Sequence, residues 1–197
     1  VTLLEDGGLC VEDDGRGMPI DVHPEQGISG VELIMTQLHA GGKFSDKNYT
    51  YSGGLHGVGI SVVNALSHQM IVEVKRQGVH CRMCFESGKK TTDLLTLGQI
   101  PKKQSGTFIK FYPDQQFFDT ADFDIPKLMA TLKAKAVLCP GLTLELYQPL
   151  TDSVTSWYYP SGILTYFEAQ LSEEVILPEQ AWTGADEAET CAVQWAV

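Results

Sequence analysis

Ser52-Gly53-Gly54-Leu55-His56-Gly57-Val58-Gly59 is the stretch on which the reading of the fold turns. Three of its last six residues are glycine, and they run directly into Val58, Val62, Ala65 and Leu66, apolar residues at helical spacing. Glycines placed this way leave successive backbone N–H groups bare at the start of a helix, where the macrodipole favours an anion. A triphosphate fits such a run. The spacing is neither G-x-G-x-x-G after the first strand of a parallel βαβ unit nor G-x-x-x-x-G-K-[ST], so neither the dinucleotide-binding nor the P-loop architecture accounts for it. A different nucleotide fold is needed.

Upstream lies a second glycine-rich loop, Asp13-Asp14-Gly15-Arg16-Gly17-Met18-Pro19. Residues 1–5 and 9–12 alternate around Asp6-Gly7-Gly8 as a hairpin that leads straight into it. Asp13 therefore stands at a strand end, where its carboxylate can accept a hydrogen bond from an exocyclic amine such as adenine's. Gly15 and Gly17 let the backbone approach the ring. In isolation the loop also reads as an ordinary Asp-Gly turn; beside the phosphate-type run it reads as the base-recognition half of one site.

The rest of the chain is organised around these loops. Ser29-Gly30-Val31-Glu32 has the form of a capping box, and Val31, Ile34, Met35 and Leu38 share one helical face that should end at Gly41-Gly42. Residues 43–56 show no sustained periodicity and predict a long loop of the lid or linker kind. Strands are predicted over 71–76, 79–86 and 107–112, with a turn at Gln77-Gly78. Pro126 and the apolar set Leu128, Met129, Leu132, Ala136 and Val137 mark a helix that stops at Cys139-Pro140-Gly141, followed by a strand over 143–147. Beyond the aromatic segment 157–159, residues 161–171 read as a helix and 191–197 as a strand, which puts a domain boundary near residue 158.

Composition narrows the class. In 197 residues with 43% apolar content there is enough to bury a core, and no uncharged apolar run approaches the ~18 residues of a membrane span. With no signal-peptide pattern either, a cytoplasmic setting is expected. The five cysteines suit a reducing compartment, and Cys81 and Cys84, three apart on a predicted strand, face opposite sides, which argues against a shared metal. Fourteen Lys and Arg against 25 Asp and Glu give a formal charge of −11, which argues against this segment as the main clamp on a nucleic-acid backbone. Its basic clusters, Lys89-Lys90, Lys102-Lys103 and Lys127, Lys133 and Lys135, read as solvated faces.

Along nearly its whole length the chain resembles the ATPase module shared by gyrase, the Hsp90 chaperones, the MutL repair proteins and histidine kinases, the GHKL family. Within that group the two glycine loops and Gly41-Gly42-Lys43-Phe44 resemble the B subunits of bacterial type II topoisomerases. The run Leu132-Lys133-Ala134-Lys135-Ala136-Val137-Leu138-Cys139-Pro140-Gly141 is more similar to topoisomerase IV than to gyrase. A histidine kinase or repair ATPase, and a nucleotide-sensing dimerisation module without turnover, are the rival readings; the long 41–59 segment speaks against the first.

The resemblance implies an α+β fold, a two-layer sandwich of a mixed β-sheet covered on one face by helices. Residues 1–157 would form the ATP-binding domain without its N-terminal helix, and residues 158–197 the start of a transducer domain of the ribosomal S5 type. It implies that Asp13 binds the adenine amino group, that Val11, Met18, Ile34 and Met35 line the base pocket, and that Arg16, Pro19 and Arg76 form its outer rim beside the Gly17 backbone. Thr107, in Ser105-Gly106-Thr107, would share a water network with Asp13. Lys43 and Tyr49 would belong to a lid, and the run Gly54, Leu55, His56, Gly57, Val58 and Gly59 would hold the phosphates. The implied cofactors are ATP and Mg²⁺. The implied partners are the A subunit of topoisomerase IV, DNA held mainly by regions outside this chain, and a second B subunit in an ATP-dependent homodimer. The implied activity is ATP-driven passage of one DNA duplex through another, an isomerase reaction that relaxes and decatenates DNA.

In the same family a general-base Glu and, four residues later, a Mg²⁺-binding Asn lie on a helix before the first loop, and a later lysine reaches the γ-phosphate. The expectation is that both groups lie outside this chain, upstream of Val1 and beyond Val197, because its only asparagines, Asn48 and Asn64, have Phe44 and Ile60 four residues earlier. Without that base, turnover should fall by roughly 10²–10⁴. Steady-state phosphate release from the purified chain supplied with Mg²⁺ and ATP is expected to match a no-protein control.

Overall fold

The computed structural model describes residues 1–40, 57–120, 122–171, 183–188 and 191–196. The chain separates into two compact units, one of residues 1–122 with 148–152, the other of residues 123–147 with 153–197.

The first unit is a sheet backed by two short helices. Its elements are β1 (Thr2–Leu3), β2 (Leu9–Asp13), α1 (Gly30–Thr36), α2 (Gly59–Ala65), β3 (Ser67–Arg76), β4 (Val79–Glu86), β5 (Lys89–Lys90), β6 (Leu95–Gln99) and β7 (Gly106–Pro113). The strand order is β5-β4-β3-β7-β2-β1, with β6 also on β4, and each of these pairings is antiparallel. The predicted hairpins form: Thr2 pairs with Cys10, and β3 meets β4 across Gln77-Gly78 with Arg76 opposite Val79.

Alternation along the strands decides which face is covered. Met70, Val72 and Val74 of β3 and Met83 and Phe85 of β4 point to one side, where they pack with Val31 and Met35 of α1. Cys81 is buried on that same side and Cys84 faces the other, as their spacing requires, and the four cysteines with described side chains are free thiols.

Both helices depart from the sequence reading. Ser29 caps α1 by accepting from the Glu32 N–H at 3.2 Å, but the Glu32 carboxylate reaches Lys90 at 2.9 Å instead of closing the box. α1 ends at Thr36 because Gln37 turns extended (φ −116°, ψ 136°), so Leu38 lies outside it and is 61% exposed. α2 begins at Gly59 and turns Ser61 and Asn64 inward, while Val62 is 41% exposed and Ala65 faces solvent. Ile60 and Val63 pack half-buried against the core, so the apolar contact shifts to residues the pattern did not single out, and the buried positions are the polar Ser61 and Asn64. β5 and β6 are additions that the sequence reading lacks. Lys90 of β5 is also not simply solvated, since it pairs with Glu32 and with Asp93 at 3.0 Å.

The second unit holds α3 (Ile125–Leu138), β8 (Thr143–Gln148), β9 (Ser153–Tyr158), α4 (Ile163–Leu171), β10 (Thr183–Ala188) and β11 (Cys191–Ala196). Asp124 caps α3 by accepting from the Lys127 N–H at 3.0 Å, and Pro126 sits in its first turn. α3 packs on β9 and on α4, where Lys133 Nζ lies 5.1 Å from the centre of the Tyr166 ring. β10 and β11 form an antiparallel hairpin from Thr183 opposite Ala196 to Ala188 opposite Cys191. No helix among the described residues is long and apolar enough to cross a membrane.

On the face of the first sheet opposite α1, Glu73 of β3 meets His80 Nε2 at 2.7 Å and accepts from Arg82 Nε at 2.9 Å and Nη2 at 2.6 Å. Burial alone would raise the Glu73 carboxyl, but the hydrogen bonds from Arg82 and His80 outweigh it and hold the group below the usual glutamate range. Its stabilisation is therefore present above the ordinary glutamate pKa of about 4.3 and is lost as pH falls through the lowered value. Glu73→Gln is expected to lower stability at pH 7 by about 1 kcal/mol, since Arg82 is half exposed. In thermal unfolding the gap to wild type should close below about pH 4.

Candidate functional site

Asp13 is the last residue of β2. It pairs with Thr107 of β7, which pairs in turn with Val74 of β3, so the three form one row across the sheet on the helix-covered face. Register thus delivers a carboxylate to the end of the apolar layer. Its Oδ1 accepts from the Gly15 N–H at 2.8 Å and from the Thr107 N–H at 3.3 Å. Among the described residues Oδ2 has no partner, and Asp13 is exposed whereas Thr107 is only 8% exposed. The main chain fixes one oxygen and leaves the other facing outward as an acceptor.

Two glycines make this geometry possible. Gly106 has φ +150°, and a Cβ there would fall 2.0 Å from the Asp13 carbonyl oxygen. Gly17 has φ +73°, and a Cβ there would fall 2.7 Å from the Lys75 carbonyl oxygen. Both are points where one backbone lies against another and no side chain is admitted. Arg76 completes the clamp, its Nη1 donating to the Gly17 carbonyl at 2.6 Å. The loop after β2 is thereby tied to the ends of β3 and β7.

The other expected residues fall into three groups. Met18 and Ile34 are half-buried against the core that contains Met35, which is itself wholly buried, while Val11 faces the same side from β2, opposite Ile109, and stays exposed. Arg16 is exposed at the loop tip, and Pro19 is half-buried where the chain passes Gly30, whose added Cβ would fall 2.6 Å from it. Gly57 and Val58 precede α2, and Gly59 opens it. Lys43, Tyr49, Gly54, Leu55 and His56 lie outside the described residues. Among those described, no three His, Cys, Asp or Glu side chains gather as a metal site.

Gly106 was not singled out as a working residue by the sequence reading. The cue for Gly106 is a glycine opening a strand directly before Thr107.

Residues 1–116 match the family described as histidine kinase-, DNA gyrase B-, and HSP90-like ATPase. The chain belongs to this ATPase family. The B subunit of DNA topoisomerase 4 from Pseudomonas aeruginosa is 49% identical over 197 residues, which is 100% of this chain and 31% of that protein. The 43K ATPase domain of Thermus thermophilus gyrase B, solved with an aminocoumarin, is similar at a TM-score of 0.82 and 35% identity, covering 98% of this chain and 48% of that one. The topoisomerase IV ATP-binding domain of Francisella tularensis, solved with a small-molecule inhibitor, gives a TM-score of 0.76 and 39% identity over 95% of this chain and 48% of that one. The chain spans 31% of the length of the curated relative. The α+β architecture implied by the resemblance is the one this chain shares with these ATPase domains.

Because strain at a backbone reserved for glycine is worth about 1–3 kcal/mol and overpacking a similar amount, Gly106→Ala is expected to destabilise the first unit by about 2–6 kcal/mol. Chemical denaturation checks this, and the variant should lose stability through its midpoint with little change in slope.

Proposed function

We propose that the chain is the ATP-binding part of a type II DNA topoisomerase B subunit, of topoisomerase IV rather than gyrase. The observation that carries the reading is the exposed Asp13 carboxylate, held at Oδ1 by two main-chain donors, in a loop that close backbone contacts at Gly17 and Gly106 fix against the ends of β3 and β7. Such a group accepts one amine hydrogen bond in a fixed direction, which suits the exocyclic amine of adenine and rejects a base with a carbonyl there. The 49% identity to a B subunit of topoisomerase 4 supports the finer assignment.

In this reading Met18, Ile34 and Val11 face the ring with Met35 behind them, Arg16, Pro19 and Arg76 edge the opening, and Thr107 sits beside Asp13. The backbone from Gly54 through Leu55, His56, Gly57 and Val58 to Gly59 holds the phosphates, with Lys43 and Tyr49 contributing from the preceding loop. ATP, bound with Mg²⁺, supplies a γ-phosphate whose contacts favour one conformation over another. The residues described bind and orient the nucleotide, and none of them is assigned to water activation. The same reading gives the parent protein a cytoplasmic setting, an ATP-dependent homodimer, the topoisomerase IV A subunit for a partner and DNA as substrate. It places the start of a transducer domain near residue 158.

Calorimetric titration with a non-hydrolysable ATP analogue tests the site. Removing a hydrogen bond that involves a charged group is worth about 1.5–3 kcal/mol, so Asp13→Ala should bind about 10- to 100-fold more weakly than wild type. Equal affinities would remove Asp13 from the site.

A further inference from the structure

We propose that β6 is a self-pairing edge, on which a second copy of this chain adds its own β6 antiparallel and independently of nucleotide. β4 is held by β3 along one side and by β5 and β6 along the other. Among the described residues no strand pairs with the far side of β6, and all five of its residues are exposed. Its outward N–H and C=O groups form a free ladder, and the chemistry that such a ladder recognises is another extended backbone.

Natural sheets blunt such edges with a charge or a proline on the strand. β6 carries neither. From Leu94 to Ile100 the chain reads Leu-Leu-Thr-Leu-Gly-Gln-Ile, seven residues without charge or proline, a composition that favours strand addition. Leu95 and Leu97 are 52% and 46% exposed, and a Cβ added at Gly98 would meet nothing within 4 Å. The strand has one irregularity, a bulge. His80 of β4 pairs with Gly98 and Cys81 with Thr96, so Leu97 between them has no paired residue on β4.

Symmetry and charge name the occupant as a second copy. An antiparallel pair centred on Leu97 is two-fold symmetric and sets Leu97 against its counterpart and Leu95 opposite Gln99. In that register Asp93, just before β6, falls beside Lys102 and Lys103, just after β6, in the other copy, and the contact recurs at the opposite end. Asp93 is 87% exposed and both lysines are exposed. A strand acidic at one end and basic at the other satisfies both ends by antiparallel self-pairing, whereas parallel pairing sets like charges together. Asp93 also meets Lys90 of its own chain at 3.0 Å, which holds the carboxylate in place before the copies meet. Five residues a side make a small interface, so the association is weak and grows with concentration.

Sedimentation velocity of the full chain, combined with amide hydrogen exchange, tests this. The monomer should give way to dimer as concentration rises to about 1 mM, equally with and without a non-hydrolysable ATP analogue, and the β6 amides should gain protection over the same range. A variant carrying Lys102→Glu and Lys103→Glu, and a second carrying Asp93→Lys, should each self-associate about tenfold more weakly, because like charges then meet at both ends. An equimolar mixture of the two should recover the dimer, since each then faces opposite charge. Circular dichroism checks folding; if either charge variant does not fold, Leu97→Lys at the centre of the pair should abolish the dimer by itself. A monomer at every concentration, a dimer that forms only with the ATP analogue, a dimer that Leu97→Lys leaves intact, or a mixture no more associated than its components would overturn the proposal.

Discussion

Two backbone N–H groups, from Gly15 and Thr107, grip one oxygen of Asp13, and the geometry of the candidate site follows from the register that brings them there. Strand side chains alternate, so a slip of one residue between β2 and β7 would send Asp13 to the opposite face and put Glu12 in its place. The contact of Gly106 with the Asp13 carbonyl guards against that slip, because no other residue admits so close a backbone. Arg76 adds a second restraint by fastening the loop carbonyl at Gly17.

The same register sorts the chemistry of the two sheet faces. On the covered side the row Asp13, Thr107, Val74 leads from an open carboxylate into the core. On the other side the neighbouring row runs Glu12, Phe108, Glu73, Arg82, and the charges pair across strands, Lys75 with Glu12 at 3.3 Å and Arg82 with Glu73 at 2.6 Å. This second face is stabilised by cross-strand pairs that are individually weak. Its partners are complementary, which keeps a chain of net charge −11 from placing like charges side by side there.

Much of this was legible in the sequence because the forces involved are local. The hairpin into Asp13, the alternation of β3, β4 and β7, the Ser29 cap and the start of α3 at Pro126 each depend on a few adjacent residues. The end of α1 was not legible, since its Met35 carbonyl is met by Asn64, 29 positions away. α2 misled because its apolar contact runs through Ile60 and Val63 beside the buried, polar Ser61 and Asn64, which turns Val62 outward. β6 has all five residues exposed, so no buried face announces it, and it is held by its pairing with β4. At the site, Asp13 and Thr107 carried recognisable motifs, but the role of Gly106 rests on its contact with Asp13, a residue far away in the sequence, which no local pattern encodes.

That Asp13 is oriented by main-chain donors has a consequence for how such a pocket can change over time. The anchoring carboxylate depends on no neighbouring side chain for its direction, so the residues around it are free to drift. Met18, Ile34 and Val11 can be exchanged for other shapes without unseating the acceptor. On the proposed reading the site divides into a peg, written in the backbone, and walls that tune what else fits. Molecules that lean on the peg should tolerate divergence among related chains, whereas those that lean on the walls should tell them apart.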